Sequence, residues 1–175
     1  MSLDNDKVLW KKIVAQISAE WQDAPLSEKD WIEEHVQVIA RLQQELYRLF
    51  LDVDGAAACH DCAERCCGHG RFHPGLANVL ACVVAGVPLP LPDFGRDCPY
   101  SNDEGCLFAP AQRPYNCISF ICDEVEPRLG PKSVQFYLLE KQIRAEYEQF
   151  AQRYVGGSMR GLILKGELPH YLTRK

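Results

Sequence analysis

Four cysteines fall within the short stretch CHDCAERCC at residues 59–67 of this chain, and a second group of four follows within residues 98–122. Thiolates are soft ligands that suit zinc or an iron–sulfur cluster, whereas calcium and magnesium prefer oxygen. A tetrahedral zinc site takes four such ligands. The sequence therefore predicts metal ligands among eight cysteines: Cys59, Cys62, Cys66, Cys67, Cys98, Cys106, Cys117 and Cys122.

The adjacent pair Cys66 and Cys67 constrains how these thiols are shared. Neighbouring side chains on a helix or a strand point in different directions, so the two do not easily bind one ion. Either the backbone turns sharply at this point, or the two thiols serve different centres. We favour the second arrangement, in which one of the pair joins ligands from residues 98–122, over two sequential knuckles or a disulfide between neighbours.

The remaining cysteine and the histidines receive less specific interpretations. Cys82 lies in the apolar stretch LACVVAG, where a free cysteine acts as a small buried hydrophobe. His60, His69 and His73 flank the first cysteine group and could replace a cysteine as ligand, but we expect each to support the site or lie at the surface instead.

Composition excludes several other classes of protein. The net charge of −5 gives no reason to expect binding to nucleic acid or to an anionic membrane. No apolar run is long enough for a transmembrane helix, and the start MSLDNDKVLWKK lacks a signal-peptide core. We therefore expect a cytoplasmic protein, in which a disulfide scaffold is disfavoured also by the odd count of nine cysteines.

The elements that would position the cysteines are helical. A chain of 175 residues is predicted to form one mainly α domain, with helical flanks at 4–54 and 131–165 and long irregular cysteine-rich loops at 56–124, organised around a metal centre. Ser27 is expected to cap the second helix and Asp54-Gly55 to end it, while Gly86 should end a short helix that begins near Pro74.

Apolar residues at helical spacing predict the buried faces of three long helices. They are Val8, Leu9, Ile13, Val14 and Ile17 in the first; Ile32, Val36, Ile39, Leu42, Leu46, Leu49 and Phe50 in the second; and Val134, Tyr137, Leu138, Ile143, Tyr147, Phe150 and Tyr154 in the third.

The cysteine stretches resemble a known family. CHDCAERCC and CPYSNDEGCLFAPAQRPYNCISFIC are similar to the two halves of the CxxCxxCC family of zinc- or iron-chelating proteins, which includes a domain of flagellin lysine-N-methylase. Here three residues, 63–65, precede the double cysteine where two are usual, and Ile118 stands where an arginine is common. The resemblance implies chelation of zinc or iron. Arg113 matches the family pattern, and it either donates hydrogen bonds to thiolates or belongs to an ordinary turn.

Three functions remain open from the sequence. The first is a protein that chelates zinc or iron, with the metal ordering the loops and presenting a surface to a protein partner or substrate. The second is a metal-dependent enzyme, either a protein-modifying methylase or an iron–sulfur redox enzyme. The third is a thiol redox sensor that uses Cys66 and Cys67. No catalytic residue is identified, and the oligomeric state is not indicated.

Overall fold

A computed structural model describes residues 3–61 and 66–175, without the side chains at 3, 60, 61, 66 and 67. The described part is mainly helical, as predicted. Its α-helices are α1 (Leu3–Asp23), α2 (Leu26–Leu51), α3 (Gly55–Asp61), α4 (Leu76–Ala85), α5 (Tyr115–Ser119), α6 (Glu126–Leu129), α7 (Ser133–Arg153) and α8 (Leu162–Lys165). Short 3₁₀ helices lie at Cys66–Phe72, Pro110–Gln112, Gly130–Lys132 and Val155–Gly157. A hairpin is formed by β1 (Ser101–Asn102) and β2 (Gly105–Cys106).

The pairing of α2 with α7 is the most extensive helix contact in the described ranges. Both helices bury residues three or four positions apart, which keeps them on one face. The buried apolar residues are Ile32, Val36, Ile39, Leu46 and Leu49 in α2, and Phe136, Leu139, Ile143, Tyr147 and Phe150 in α7. The second predicted face is thus largely confirmed, with Leu42 and Phe50 half-buried at its margins.

The first part of the predicted α7 face is wrong. Val134, Tyr137 and Leu138 are 68%, 45% and 57% exposed. At about 100° of rotation per residue, the step of five from Leu138 to Ile143 turns the side chain about 140° away from the buried face. Phe136 continues the buried spacing backwards in place of these residues. In α1, Ile13 and Ile17 are buried as predicted, but Val8 is 55% exposed.

The boundaries of α2 differ from the prediction. The helix begins at Leu26 after Pro25, and no side chain caps it. The prediction that Ser27 is the cap is wrong, because Ser27 already lies inside the first turn. Proline supplies the extended residue that precedes a helix start. The helix also ends at Leu51, just before the predicted stop at Asp54-Gly55, and Gly55 instead begins α3.

Helix α4 is the buried centre of the molecule, and seven consecutive residues from Leu76 to Cys82 are buried in it. It packs against both α1 and α2. Gly86 ends the helix with φ 64°, a left-handed conformation that glycine adopts without steric cost. The end at Gly86 and the assignment of Cys82 to the core are both confirmed.

The segment after α8 packs back onto the helices. Tyr171 is fully buried, and the backbone N–H groups of Tyr171 and Leu172 donate to the Glu20 carboxylate at 2.9 and 2.7 Å. The Gly156 N–H donates to the Tyr171 carbonyl at 3.0 Å. In the two described ranges, no helix combines the length and apolar character that crossing a bilayer requires.

Candidate metal centre

The β1–β2 hairpin brings Cys98 and Cys106 together. Its register pairs Ser101 with Cys106, and the Ser101 N–H and hydroxyl both donate to the Cys98 carbonyl, at 3.2 and 2.9 Å. Burial raises the pKa of the Cys98 thiol, a hydrogen bond from the Tyr100 backbone opposes this rise, and the charge of nearby Cys106 adds to it. The two thiols are therefore electrostatic neighbours, although seven residues separate them in sequence.

The first cysteine segment approaches this hairpin at Gly70. A Cβ atom at position 70 would lie 2.6 Å from the Cys98 Sγ, closer than van der Waals radii allow. Gly70 belongs to the 3₁₀ helix Cys66–Phe72, which contains the adjacent cysteines. Only glycine permits this approach of backbone to thiol. The backbone three residues after Cys67 thus packs directly on a member of the second cysteine group.

Cys117 lies on the short helix α5 and faces the same segment. The His73 Nδ1 is 3.1 Å from the Cys117 Sγ, a contact between residues 44 positions apart. Burial lowers the pKa of the His73 imidazole below its usual value, and nearby His69 lowers it further. The contact joins the first cysteine segment to a second member of the later group.

Three long helices hold the turn that leads into α5. The Arg113 carbonyl accepts hydrogen bonds from buried side chains of α2, α4 and α7. The donors are the Gln43 Nε2 at 2.9 Å, the Asn78 Nδ2 at 3.0 Å and the Tyr147 hydroxyl at 3.2 Å. The Tyr147 hydroxyl also accepts from Asn78 at 2.9 Å. A buried carbonyl with three donors is firmly placed, and it fixes the backbone four residues before Cys117.

The buried Tyr100 hydroxyl lies near the thiols of Cys98 and Cys117. Burial raises the pKa of Tyr100 well above its usual range, and the charges of Cys98 and Cys117 raise it further. The side chain is 2% exposed, and its hydroxyl makes no hydrogen bond within the described residues. A buried hydroxyl without a partner costs free energy, so this group is a donor available to an acceptor beside the two thiols.

The Arg113 side chain points to the interpretation as a turn. Its Nε donates to the Phe108 carbonyl at 3.2 Å, and its guanidinium lies 4.7 Å from the centre of the Tyr47 ring. No contact with a thiolate is present among the residues that the structure describes. The other prediction for this residue, hydrogen bonding to the thiolates, therefore receives no support.

The remaining cysteines are placed as follows. Cys122 is half-buried, and its carbonyl accepts the Val125 and Glu126 N–H groups at 3.0 and 2.9 Å. Cys59 is exposed on α3. Cys62 lies outside the described residues, as do the side chains of Cys66 and Cys67. In Cys82, burial raises the pKa of the thiol to about 11, which keeps it protonated in the core.

The described side chains do not by themselves complete a metal site. Within residues 3–61 and 66–175, no three His, Cys, Asp or Glu side chains form a group that could hold an ion. The eight-cysteine ligand set stays a prediction, because three of its side chains lie outside the described residues. Cys106 lies near Cys98, Tyr100 lies near both Cys98 and Cys117, and the Gly70 backbone approaches the Cys98 Sγ.

Several residues around these thiols were not predicted from the sequence. Gln43 continues the buried spacing of α2 from Ile39 to Leu46, and Asn78 interrupts the apolar run of α4. A polar residue at such a position must find a partner inside the protein, which is the signal that would have marked both. Tyr100, which follows Pro99, carries no comparable pattern. His73 is marked by its place beside the first cysteine group, but the sequence does not pair it with Cys117.

Comparison with known proteins adds no relative: no family model, no curated protein and no solved structure matches this chain.

Proposed function

We propose that the chain binds zinc or iron, as ions or as an iron–sulfur cluster, through its clustered cysteine thiolates. The bound metal orders the loops between α3 and α7. The proposed ligands are drawn from the eight cysteines named above. The metal acts first as a structural clamp, and a partner or substrate would meet the surface that it organises.

The observation that carries the proposal is that the segment just after the first cysteine group packs against thiols of the second group. The Gly70 backbone, just after the adjacent cysteines, lies against the Cys98 Sγ. Cys98 and Cys117, from different loops, both act on the buried Tyr100 hydroxyl. Thiols drawn together from distant parts of a chain are typical of metal sites, because soft sulfur ligands suit zinc and iron.

The small amount of regular secondary structure in the loops supports the same conclusion. Between α4 and α5, residues 87–114 contain only a two-residue-per-strand hairpin and one 3₁₀ turn. A stretch this long within a compact chain usually serves a function or is ordered by a ligand. A structural zinc ion contributes on the order of 10 kcal/mol to folding, which is sufficient to order such a segment.

The proposal extends to family and location. The order of the cysteines supports membership of the CxxCxxCC group, and a reducing cytoplasm would keep the thiols available as ligands. The free thiols of Cys82, Cys98, Cys106 and Cys122 are consistent with that location. The sequence-based alternatives, a methylase or a redox sensor, have no described contact that favours them.

Anaerobic purification followed by elemental analysis and an absorption spectrum tests the proposal. We expect stoichiometric zinc in a colourless protein, or iron in a brown one whose visible bands identify a cluster. Cys98→Ala and Cys117→Ala should each lower the bound metal, since each removes a proposed ligand. A protein that carries no metal, and takes up neither zinc nor ferrous iron after reduction, would overturn the proposal.

Cys82→Ala is the matched control. It removes a thiol that is buried in α4 and distant in role from the site, so the metal content should match wild type. Far-UV circular dichroism shows whether each variant keeps its helices. If Cys98→Ala and Cys117→Ala keep their helices and the full metal content, the thiolates named here are not the ligands.

A further inference from the structure

His73 is held by the backbone on both sides. Its N–H donates to the Gly70 carbonyl at 3.1 Å, at the end of the 3₁₀ helix. The carbonyl of the next residue, buried Pro74, accepts the Leu162 N–H at 2.8 Å. These bonds anchor the backbone at His73 and just after it, and from this position the imidazole Nδ1 reaches the Cys117 Sγ.

Cys117 is equally well anchored. Its N–H donates to the Pro114 carbonyl at 2.9 Å, and the carbonyl of the preceding Arg113 is fixed by three buried donors. The His73 Nδ1 and the Cys117 Sγ, 3.1 Å apart, thus belong to two segments whose backbones are held by hydrogen bonds.

That separation is close to the spacing of two ligands on one ion. With a Zn–N bond near 2.0 Å and a Zn–S bond near 2.3 Å, tetrahedral geometry places the two donor atoms roughly 3.5 Å apart. A movement of a few tenths of an ångström would admit the ion between them. An imidazole nitrogen is also a donor that zinc and iron both accept.

We infer that the His73 Nδ1 and the Cys117 Sγ bind the same metal ion, so that the proposed centre is a mixed histidine–thiolate site. This inference rests on the proposed function and changes its ligand set. A neutral imidazole in place of one thiolate makes the centre less negative by one charge.

The Tyr100 hydroxyl fits such a centre. It is buried beside Cys98 and Cys117 and has no partner in the described part of the chain. A metal-bound thiolate retains lone pairs that accept hydrogen bonds, and outer donors of this kind tune a metal site. The buried donor thus finds an acceptor once the thiolates are held by an ion.

Cobalt(II) titration of the full-length reduced chain tests the inference, because cobalt replaces zinc and its visible bands report the ligands. We expect His73→Ala to weaken cobalt binding by more than about a hundredfold. Loss of an outer partner costs about 10- to 100-fold in metal affinity, and loss of a ligand should cost more. His73→Cys should restore binding with bands shifted to longer wavelength, since a thiolate replaces an imidazole. His170→Ala, at a histidine whose side chain is 70% exposed in the C-terminal segment, is the control and should leave affinity and spectrum unchanged.

The outcomes separate the two proposals. If wild type binds cobalt and His73→Ala gives the same bands with a modest loss of affinity, His73 only donates a hydrogen bond to Cys117 and the inference fails alone. If wild type shows no cobalt–thiolate bands and carries neither zinc nor iron after anaerobic purification, the metal-binding function itself fails. Circular dichroism of each variant excludes loss of fold as the cause of weak binding.

Discussion

The long helices and the cysteine region, residues 55–72 and 98–122, differ in how their structure is stabilised. Helices α1, α2, α4 and α7 share a continuous apolar core, and the buried amides of Gln43 and Asn78 donate hydrogen bonds to the Arg113 carbonyl. The described residues of the cysteine region form short 3₁₀ turns, a minimal hairpin and the short helices α3 and α5. In it, Cys98 and Cys117 lie near the buried Tyr100 hydroxyl, which has no hydrogen-bond partner in the described residues.

This difference indicates which region a bound ligand would stabilise most. The long helices are stable through burial of apolar surface, whereas the cysteine region adds only a few residues to that core, among them Phe108 and Ile118, and would gain more from a bound ligand. The two regions meet at the Arg113 carbonyl, where scaffold side chains hold the turn before Cys117. The scaffold therefore positions one thiol in advance of any metal.

The largest expected effect comes from removing the metal. A chelator should release a stabilisation on the order of 10 kcal/mol, confined to the cysteine region. Hydrogen–deuterium exchange with and without the chelator measures this: amides in residues 98–122 should lose protection, while those in the middle of α2 should keep it. Equal changes in both regions would mean that the scaffold depends on the metal as much as the loops do.

The second effect belongs to the scaffold alone. Leu46 is fully buried, so Leu46→Ala should lower the free energy of unfolding by about 2–5 kcal/mol, with or without metal. Leu138→Ala makes the same change at a residue that is 57% exposed, and it should stay within about 0.5 kcal/mol of wild type. Urea unfolding followed by circular dichroism compares them, and a costly Leu138→Ala would indicate that this side chain is covered in solution.

A third substitution acts where the two regions meet. Asn78→Ala removes donors to the Arg113 carbonyl and to the Tyr147 hydroxyl, at a cost of about 1–3 kcal/mol. Because the turn before Cys117 loosens, metal affinity should fall as well. Asn116→Ala is the control for stability, since Asn116 is exposed on α5. If Asn78→Ala lowers stability but leaves metal affinity unchanged, the scaffold does not position the site.

The smallest effect is a pH dependence within the scaffold. Burial lowers the pKa of Lys165 from its ordinary 10.5 to about 8, although its ammonium donates to the Gly156 and Ser158 carbonyls. Between these two values the unfolded chain binds the proton and the folded chain does not, so stability rises with pH across this window. Below pH 8 both states are protonated, and this contribution is constant.

Lys165→Met should remove that rise. The measurement is the free energy of unfolding at pH 8 and pH 10 for wild type and variant, both without metal so that the thiolate site does not contribute. An identical rise in the two proteins would show that other groups cause it.

The predictable part of the fold follows from local patterns. The apolar spacing in α2 predicts its buried face, and Gly86 predicts the end of α4, because both depend on neighbouring residues in sequence. The failures are also local in cause. Ser27 is a good cap by residue type, yet the helix begins at Leu26, just after Pro25, so Ser27 lies inside its first turn. The start of the α7 face was misassigned because two apolar sets overlap there.

Some features of the candidate site are likewise predictable from the sequence, and others are not. Cysteine type and spacing predict a soft-metal site and its eight candidate ligands, since that chemistry is a property of the side chains themselves. No local pattern marks Tyr100, and none pairs His73 with Cys117, because these contacts join segments that are far apart in sequence.

The sequence by itself determined that the protein is mainly helical and that it carries an unusual concentration of soft donors. Periodicity and side-chain chemistry are local, so they can be read without coordinates. Only the tertiary structure decided which thiols approach one another, that Gly70 must lack a side chain beside Cys98, and that His73 faces Cys117. Those facts depend on how distant segments pack on the same helices, which spacing along the chain does not encode.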